Sequence, residues 1–310
     1  MNNIICIAGP TASGKTALAV QLAKELNGEV ISCDSMQIYR RMDISTAKPT
    51  ADEMEGIPHH MLDVAEPEED FSVSKYCDLA TPILDDILSR GKTAIIAGGT
   101  GLYMDALVKG NDFAPFPATG HRERLEEKLA AVGLDALLAE LAAIDPEAAE
   151  RSQRNPRRII RSLEVYYETG ETITSHNLKT QAIPPRYSPL WLGLDFDPRA
   201  LLYERIDRRV SIMLEAGLEQ EIRNLLSSGL DKRCTALQAI GYKEFLAALE
   251  GDCSMEEAAD AVRQASRRYA KQQLTWFRRN NAIHWLTRRD GDGSEEIIVG
   301  ARQIIRNFDN

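Results

Sequence analysis

Residues 9–16 read Gly9-Pro10-Thr11-Ala12-Ser13-Gly14-Lys15-Thr16 and satisfy G-x-x-x-x-G-K-[ST], with an apolar run at 3–8 before them and a helical pattern at 15–26 after, ended by Asn27-Gly28. Strand, glycine loop and helix in that order commit the chain to an α/β core. The glycines let the backbone curl so that consecutive N–H groups point at phosphate oxygens, and the helix N-terminus adds favourable partial charge. Lys15 supplies a point charge and Thr16 a hydroxyl for Mg²⁺, so residues 9–16 are expected to hold a diphosphate or triphosphate. The loop alone does not give the reaction, because nucleotide-binding and ATP-binding kinases, GTPases, motors and other transferases share it. There is no Asn-Lys-x-Asp guanine signature and no position that stands out for stacking adenine, which disfavours a hydrolysing switch protein.

The alternation continues with a strand at 29–33, a helix at 73–90 and a strand at 93–97 that runs into Gly98-Gly99-Thr100-Gly101. Such alternation predicts a parallel sheet with right-handed crossovers, whose strand carboxyl ends share one rim. Three sequence-distant loops, GPTASGKT, DSMQ at 34–37 and GGTGLY at 98–103, should therefore open onto one crevice. Asp34 there can bind Mg²⁺ through water or take a proton from a nucleophile; on these residues alone it is also an ordinary turn or helix-cap aspartate. The GGTG segment is likewise readable as a tight turn and nothing more.

At 310 residues the chain has length for about two domains at ~150 residues each. The rhythm breaks after Gly110, and 111–188 reads as a helical insertion, so the expected fold is a P-loop NTPase-like parallel sheet core, residues 1–110 and 189–310, with a helical insertion domain. Further helices are expected at 199–228, 235–250 and 254–281, the last opened by the capping-box pattern Ser254-Met255-Glu256-Glu257. Apolar residues at 44% and charged residues at 27% fit a folded globular chain. No run approaches ~20 apolar residues and the start lacks a basic n-region, so neither membrane insertion nor secretion is expected. Five cysteines without a C-x-x-C pair fit reduced thiols in a cytosol, and His59-His60 read as loop or packing histidines.

A formal charge of -10 argues against a phosphate-coated partner, but the sum hides segregation. Residues 52–70 carry eight acids and no base, 263–289 eight bases and no acid, and 151–161 five arginines and no acid. Either basic run is by itself readable as a solvated helix face; together they leave room for a locally bound polyanion.

GPTASGKT at 9–16, DSMQIYRRMDISTAKP at 34–49, AGGTGLY at 97–103, NPRRIIRSLEVYYETG at 155–170, LYERIDRRVSIMLEAGL at 202–218, AIGYKEF at 239–245 and YAKQQLTWFRR at 269–279 resemble the tRNA dimethylallyltransferase (tRNA isopentenyltransferase) family over nearly the whole chain. Ser45, where the family usually has Gly, and Gln272, where it usually has Arg, depart from its pattern. The resemblance implies transfer of a dimethylallyl group from dimethylallyl diphosphate to N6 of the adenine next to the tRNA anticodon (position 37), giving N6-isopentenyladenosine and diphosphate. The phosphate loop, Lys15 and Mg²⁺ on Thr16 would then stabilise the leaving group, and Asp34 would be the general base. Thr100 resembles the residue that contacts the target adenine, with Ser35, Met36 and Gln37 beside it. Arg205 and Arg209, four apart on one helix face, become further diphosphate contacts, pairing with Glu204 or Asp207 being the alternative.

The base must be extruded from its stack to react. The expected RNA contacts are Arg122, Gln153, Arg154, Asn155, Pro156, Arg157, Arg158 and Arg161 in the insertion, Gln238, and Arg267 and Lys271 in a line with Arg263 and Arg278. Tyr269, Trp276 and Phe277 could stack bases, core packing being the alternative for the last two. The resemblance thus implies tRNA, through its anticodon stem-loop, and dimethylallyl diphosphate as partners, Mg²⁺ as cofactor, and a cytoplasmic monomer. Eukaryotic members often add a zinc-finger segment; the tail after residue 290 has no Cys or His, so no zinc is expected. Two rivals remain: a small-molecule kinase that directs Asp34 at a hydroxyl, and an RNA-binding module with a regulatory nucleotide site.

Overall fold

In the computed structural model, which describes residues 3–110 and 119–308, the apolar run before the glycine loop becomes β1 (Ile4–Ala8), buried along its whole length. A strand buried on both faces is the signature of a central parallel strand. Then follow α1 (Lys15–Glu25), β2 (Gly28–Cys33), α2 (Ala51–Met54), β3 (His59–His60), α3 (Val73–Ser89), β4 (Thr93–Gly98) and α4 (Gly101–Lys109). After the insertion come β5 (Leu190–Phe196) and α10 (Ala200–Glu215), numbered after the insertion's α5–α9. The chain closes with α11 (Leu218–Ser227), α12 (Tyr242–Glu250), α13 (Met255–Phe277), β6 (Ile283–Arg288) and α14 (Ser294–Phe308).

The six strands lie in the order β3-β2-β4-β1-β5-β6, each pairing parallel. From β1 the chain first builds to one side and later, through β5, to the other, so the strand order reverses beside β1. In open parallel sheets that reversal opens a crevice at the strand carboxyl ends. One sheet face is closed by α1 and α14 over Ile5, Ile7, Val30, Ile95 and Leu286. The other carries Tyr76 of α3, whose hydroxyl donates to Ser32 O at 2.9 Å and whose ring lies 4.6 Å from that of Tyr103 on α4. A second core gathers α10–α13 around Tyr39, Met42, Val210, Ile222, Tyr242 and Phe245.

Two strands escape the sequence reading, and both are edges. The histidine pair is β3, with His59 opposite Val30, and the His60 ring nitrogen bonds the buried Glu29 at 2.8 Å. Glu29 also holds Arg90 and Lys92, and these hydrogen bonds keep its carboxyl well below the usual range. The helix expected to run to 281 stops at Phe277 to admit β6, and the one expected over 199–228 breaks at Gly217, whose φ is 93°. Nor is the acidic run a bare patch: Glu55 pairs with Lys24, Asp63 with Lys48, Glu66 and Glu68 with Arg41, and Glu69 with Lys75.

The chain divides into two compact units, Met1–Val108 with Tyr187–Asn310, and Lys109–Arg186, against expected divisions at 110/111 and 188/189. In the smaller unit α5 (His121–Val132), α6 (Leu134–Ile144), α7 (Pro146–Arg151), α8 (Pro156–Thr169) and α9 (Ile173–Ala182) pack around Leu125, Leu137, Leu141, Ile159 and Leu163. Its buried Asp145 caps α7 through Ala148 N at 3.0 Å and ties in α9 through Thr174 N at 3.0 Å and Thr174 Oγ1 at 2.8 Å.

Candidate functional site

The loop between β1 and α1 is a tight cradle. Ser13 N bonds Pro10 O at 3.3 Å, Ala12 takes a φ of 61°, and Gly14, the N-cap of α1, sits at 93°. Left-handed backbone at Gly14 costs little because no Cβ meets the following carbonyl. Lys15 Nζ curls back to Pro10 O at 2.7 Å; burial, helped by Arg209, pushes its ammonium down to about 7 against the opposing pull of Asp34. Thr16 follows in the first turn of α1, partly buried. Ser13 Oγ is enclosed without a hydrogen-bond partner in the protein.

Two arginines of α10 close on this cradle, one turn apart. Arg205 Nε donates to Ala12 O at 2.8 Å, and Arg209 Nη2 donates to Thr46 O at 3.3 Å while its Nε is enclosed without a partner. Burial pushes both guanidinium groups below their ordinary range, Asp34 countering the shift at Arg209. The alternative pairing with Glu204 or Asp207 does not occur; Asp207 is taken by Arg267 instead. Lys15, Arg205 and Arg209 thus converge on the cradle, with Asp34 acting on Lys15 and Arg209 and Glu53 on Arg209. Cations crowded together with so little counter-charge favour a polyanionic ligand.

The second loop begins where β2 ends. Asp34 Oδ1 accepts from Met36 N at 2.9 Å and Gln37 N at 3.4 Å, the turn geometry that the sequence left open. That turn is also what holds the carboxylate still beside the cations. Ser35 N bonds Thr100 Oγ1 at 3.0 Å, locking the second loop to the third. Thr100 N in turn bonds Cys33 O at 3.2 Å. Gln37 is occupied inside the protein: Oε1 accepts from Ser32 Oγ at 2.9 Å and Nε2 donates to Ala47 O at 3.1 Å. Met36 packs on the helical core.

The GGTG segment is more than a tight turn, and its glycines are set by close approach. A Cβ at Gly99 would lie 2.1 Å from Gln273 Nε2, and one at Gly101 2.2 Å from Trp276 Cδ1, so α13 is seated directly on this loop. Trp276 Nε1 is held by Asp105 at 2.9 Å and Phe277 is 1% exposed, which makes both packing residues. Tyr269 faces the site instead: its side chain lies near Thr100, Gln273 and Asp34, and burial pushes its hydroxyl up to about 12.

Gln273 is the site residue that sequence reasoning missed. It is 5% exposed, on a helix whose neighbouring buried positions are Ala270, Leu274 and Phe277, and an amide on that apolar stripe was the signal available.

The expected RNA contacts fall outside this cluster. Arg267 pairs with Asp207 and lies 5.5 Å over the Tyr203 ring, Lys271 is exposed and without an ion-pair partner among the described residues, and Gln238 Nε2 donates to Lys232 O at 3.1 Å. Within the insertion, Gln153 and Arg154 take positive φ, Asn155 caps α8 through Arg157 N at 3.0 Å, and Pro156 is its first residue. Arg122 pairs with Glu164 at 3.2 Å and Arg154 with Asp135. Arg157, Arg158, Arg161 and Arg151 line a cleft of about 330 Å³ in the insertion. No group of three or more His, Cys, Asp or Glu side chains suited to a metal occurs among the described residues. The described residues contain no helix long and apolar enough to cross a membrane.

Known proteins resemble this chain over nearly its whole length. A family model described as IPP transferase matches residues 37–280. A tRNA dimethylallyltransferase of Acetivibrio thermocellus is 43% identical, over 99% of this chain and 99% of the relative, and one of Caldanaerobacter subterraneus subsp. tengcongensis is 47% identical over 95% and 94%. Among solved structures, the full-length tRNA isopentenylpyrophosphate transferase of Bacillus halodurans has a TM-score of 0.73 at 43% identity, covering 98% of this chain and 96% of that one. A eukaryotic dimethylallyltransferase acting on tRNA has a TM-score of 0.80 at 30% identity, covering 99% and 80%.

Proposed function

This chain belongs to the IPP transferase family and is an enzyme of prenyl transfer to tRNA, and from that premise we propose the reaction it runs. A dimethylallyl group passes from dimethylallyl diphosphate to N6 of the adenine next to the anticodon, releasing diphosphate. The observation that carries this reading is the pairing of a cation-rich phosphate cradle with one fixed carboxylate on a shared rim.

An allylic diphosphate leaves as negative charge spreads over its oxygens and the carbon turns cationic. The cradle amides, Lys15, Arg205 and Arg209 stabilise that developing charge. The exocyclic amine is a poor nucleophile until its proton is taken, and Asp34, pinned by Met36 N, is the base; such a group contributes about 10²–10⁴-fold. Thr100 and Tyr269 line the base side, with Ser35 held to Thr100. The Thr16 hydroxyl is a hard oxygen donor suited to Mg²⁺, which when bound with the diphosphate would neutralise leaving-group charge. Arg267, Lys271 and the insertion's arginines serve the anticodon stem-loop electrostatically. A cytoplasmic monomer is the form we assign.

Incubation with labelled dimethylallyl diphosphate, unmodified tRNA and Mg²⁺ tests the proposal. Label in the RNA is the expected result; label elsewhere, or none, refutes it.

A further inference from the structure

Each rim loop is anchored by its own neighbours. The phosphate loop has Lys15 on Pro10 O and Arg205 on Ala12 O; the third loop has Thr100 on Cys33 O and on Ser35. Gln273 bonds both loops: Oε1 accepts from Thr11 N at 2.9 Å and Nε2 donates to Gly99 O at 3.0 Å. A primary amide suits this place because it offers an acceptor and a donor side by side, whereas a carboxylate lacks the donor and leucine lacks both.

We propose that Gln273 is a positioning residue that fixes the spacing between the leaving-group cradle and the loop that receives the adenine, an inference that rests on the prenyl-transfer reading. The donor is held by the first loop and the acceptor by the second and third, so the reacting carbon and nitrogen meet correctly only if the loops keep their separation. A slip of ~1 Å costs on the order of 10²-fold in rate while each loop still binds its own ligand.

Gln273→Leu and Gly99→Ala attack this contact from opposite sides, the second by pushing a methyl against Nε2. At a temperature where near-UV circular dichroism shows each variant folded, kcat should fall ~10²-fold. KM for donor and tRNA, and Kd for inorganic diphosphate, should stay within about 3-fold, as positioning without loss of binding requires. If Gln273→Leu does not fold, Gly99→Ala carries the test, since its backbone bonds are untouched. Wild-type kcat per folded molecule, or a rise in diphosphate Kd matching the fall in kcat, overturns the positioning role. Wild-type protein that binds diphosphate yet transfers no prenyl group overturns the parent reading, and this inference with it.

Discussion

Arg209→Met separates a binding cation from a structural one. The guanidinium makes one long hydrogen bond, 3.3 Å to Thr46 O, and has an enclosed Nε with no partner, so it contributes little to the protein without ligand. The lost bond is worth about 1 kcal/mol, offset by removal of an unpaired polar group that itself costs about 1–3 kcal/mol. Unliganded stability should therefore stay near that of the wild type. Toward diphosphate the effect is large, because a charge-assisted hydrogen bond contributes about 1.5–3 kcal/mol; taking about 2.7 kcal/mol, Kd rises ~100-fold. With Mg²⁺ and diphosphate at ~100 times the wild-type Kd, binding adds about 2.7 kcal/mol to the wild type but only about 0.4 kcal/mol to the variant. At roughly 2–4 °C per kcal/mol, the diphosphate-induced rise in Tm shrinks from about 5–11 °C to about 1–2 °C. Differential scanning fluorimetry reads both quantities. A variant whose unliganded Tm drops by more than ~4 °C while the diphosphate shift survives would show that Arg209 braces the Thr46 loop and does not grip the ligand.

Asp34→Asn keeps the oxygen that accepts from Met36 N, so tRNA affinity in filter binding should hold while single-turnover transfer falls at least ~10²-fold; near-normal turnover removes Asp34 from the base role. Lys15 sits at about 7, so above that pH it is neutral until a bound anion raises its pKa and draws in a proton; isothermal titration in buffers of different ionisation enthalpy should show proton uptake at pH 8 that Lys15→Met abolishes. Charge removal at Arg267 and Lys271 should weaken tRNA binding and flatten its salt dependence, Lys271→Gln more than Arg267→Gln because Arg267 is already paired with Asp207. In the insertion, Asp145→Ala strips caps and ties from α7 and α9 and should destabilise that unit by about 2–4 kcal/mol, read as faster hydrogen exchange across 146–182.

The central strands and the three rim loops were legible because continuous apolar runs next to glycine loops admit few other folds. The edges were not. His59–His60 is too short to show a period, and Ile283–Arg288, an edge strand with only Ile283 and Leu286 buried, reads as mixed polarity after a helix whose pattern gives no reason to stop at Phe277. At the site, the phosphate-loop motif marked Lys15, while the roles expected of Asp34, Thr100, Arg205 and Arg209 came from the family resemblance. Gln273 was hidden because it acts across 262 residues of sequence, on Thr11. Gly99 and Gly101 suggested a bend; they answer to the girth of α13, a fact about packing that no local pattern encodes.

The chain enters and leaves the insertion side by side: Tyr187 N bonds Val108 O at 3.1 Å, and Arg186 N bonds Lys109 O at 3.1 Å. Both bonds tie the last turn of α4 to the segment that leads into β5, so the larger unit's chain is brought together where the insertion begins. A few small residues joining position 108 to 187 should therefore leave a larger unit that folds around its own core.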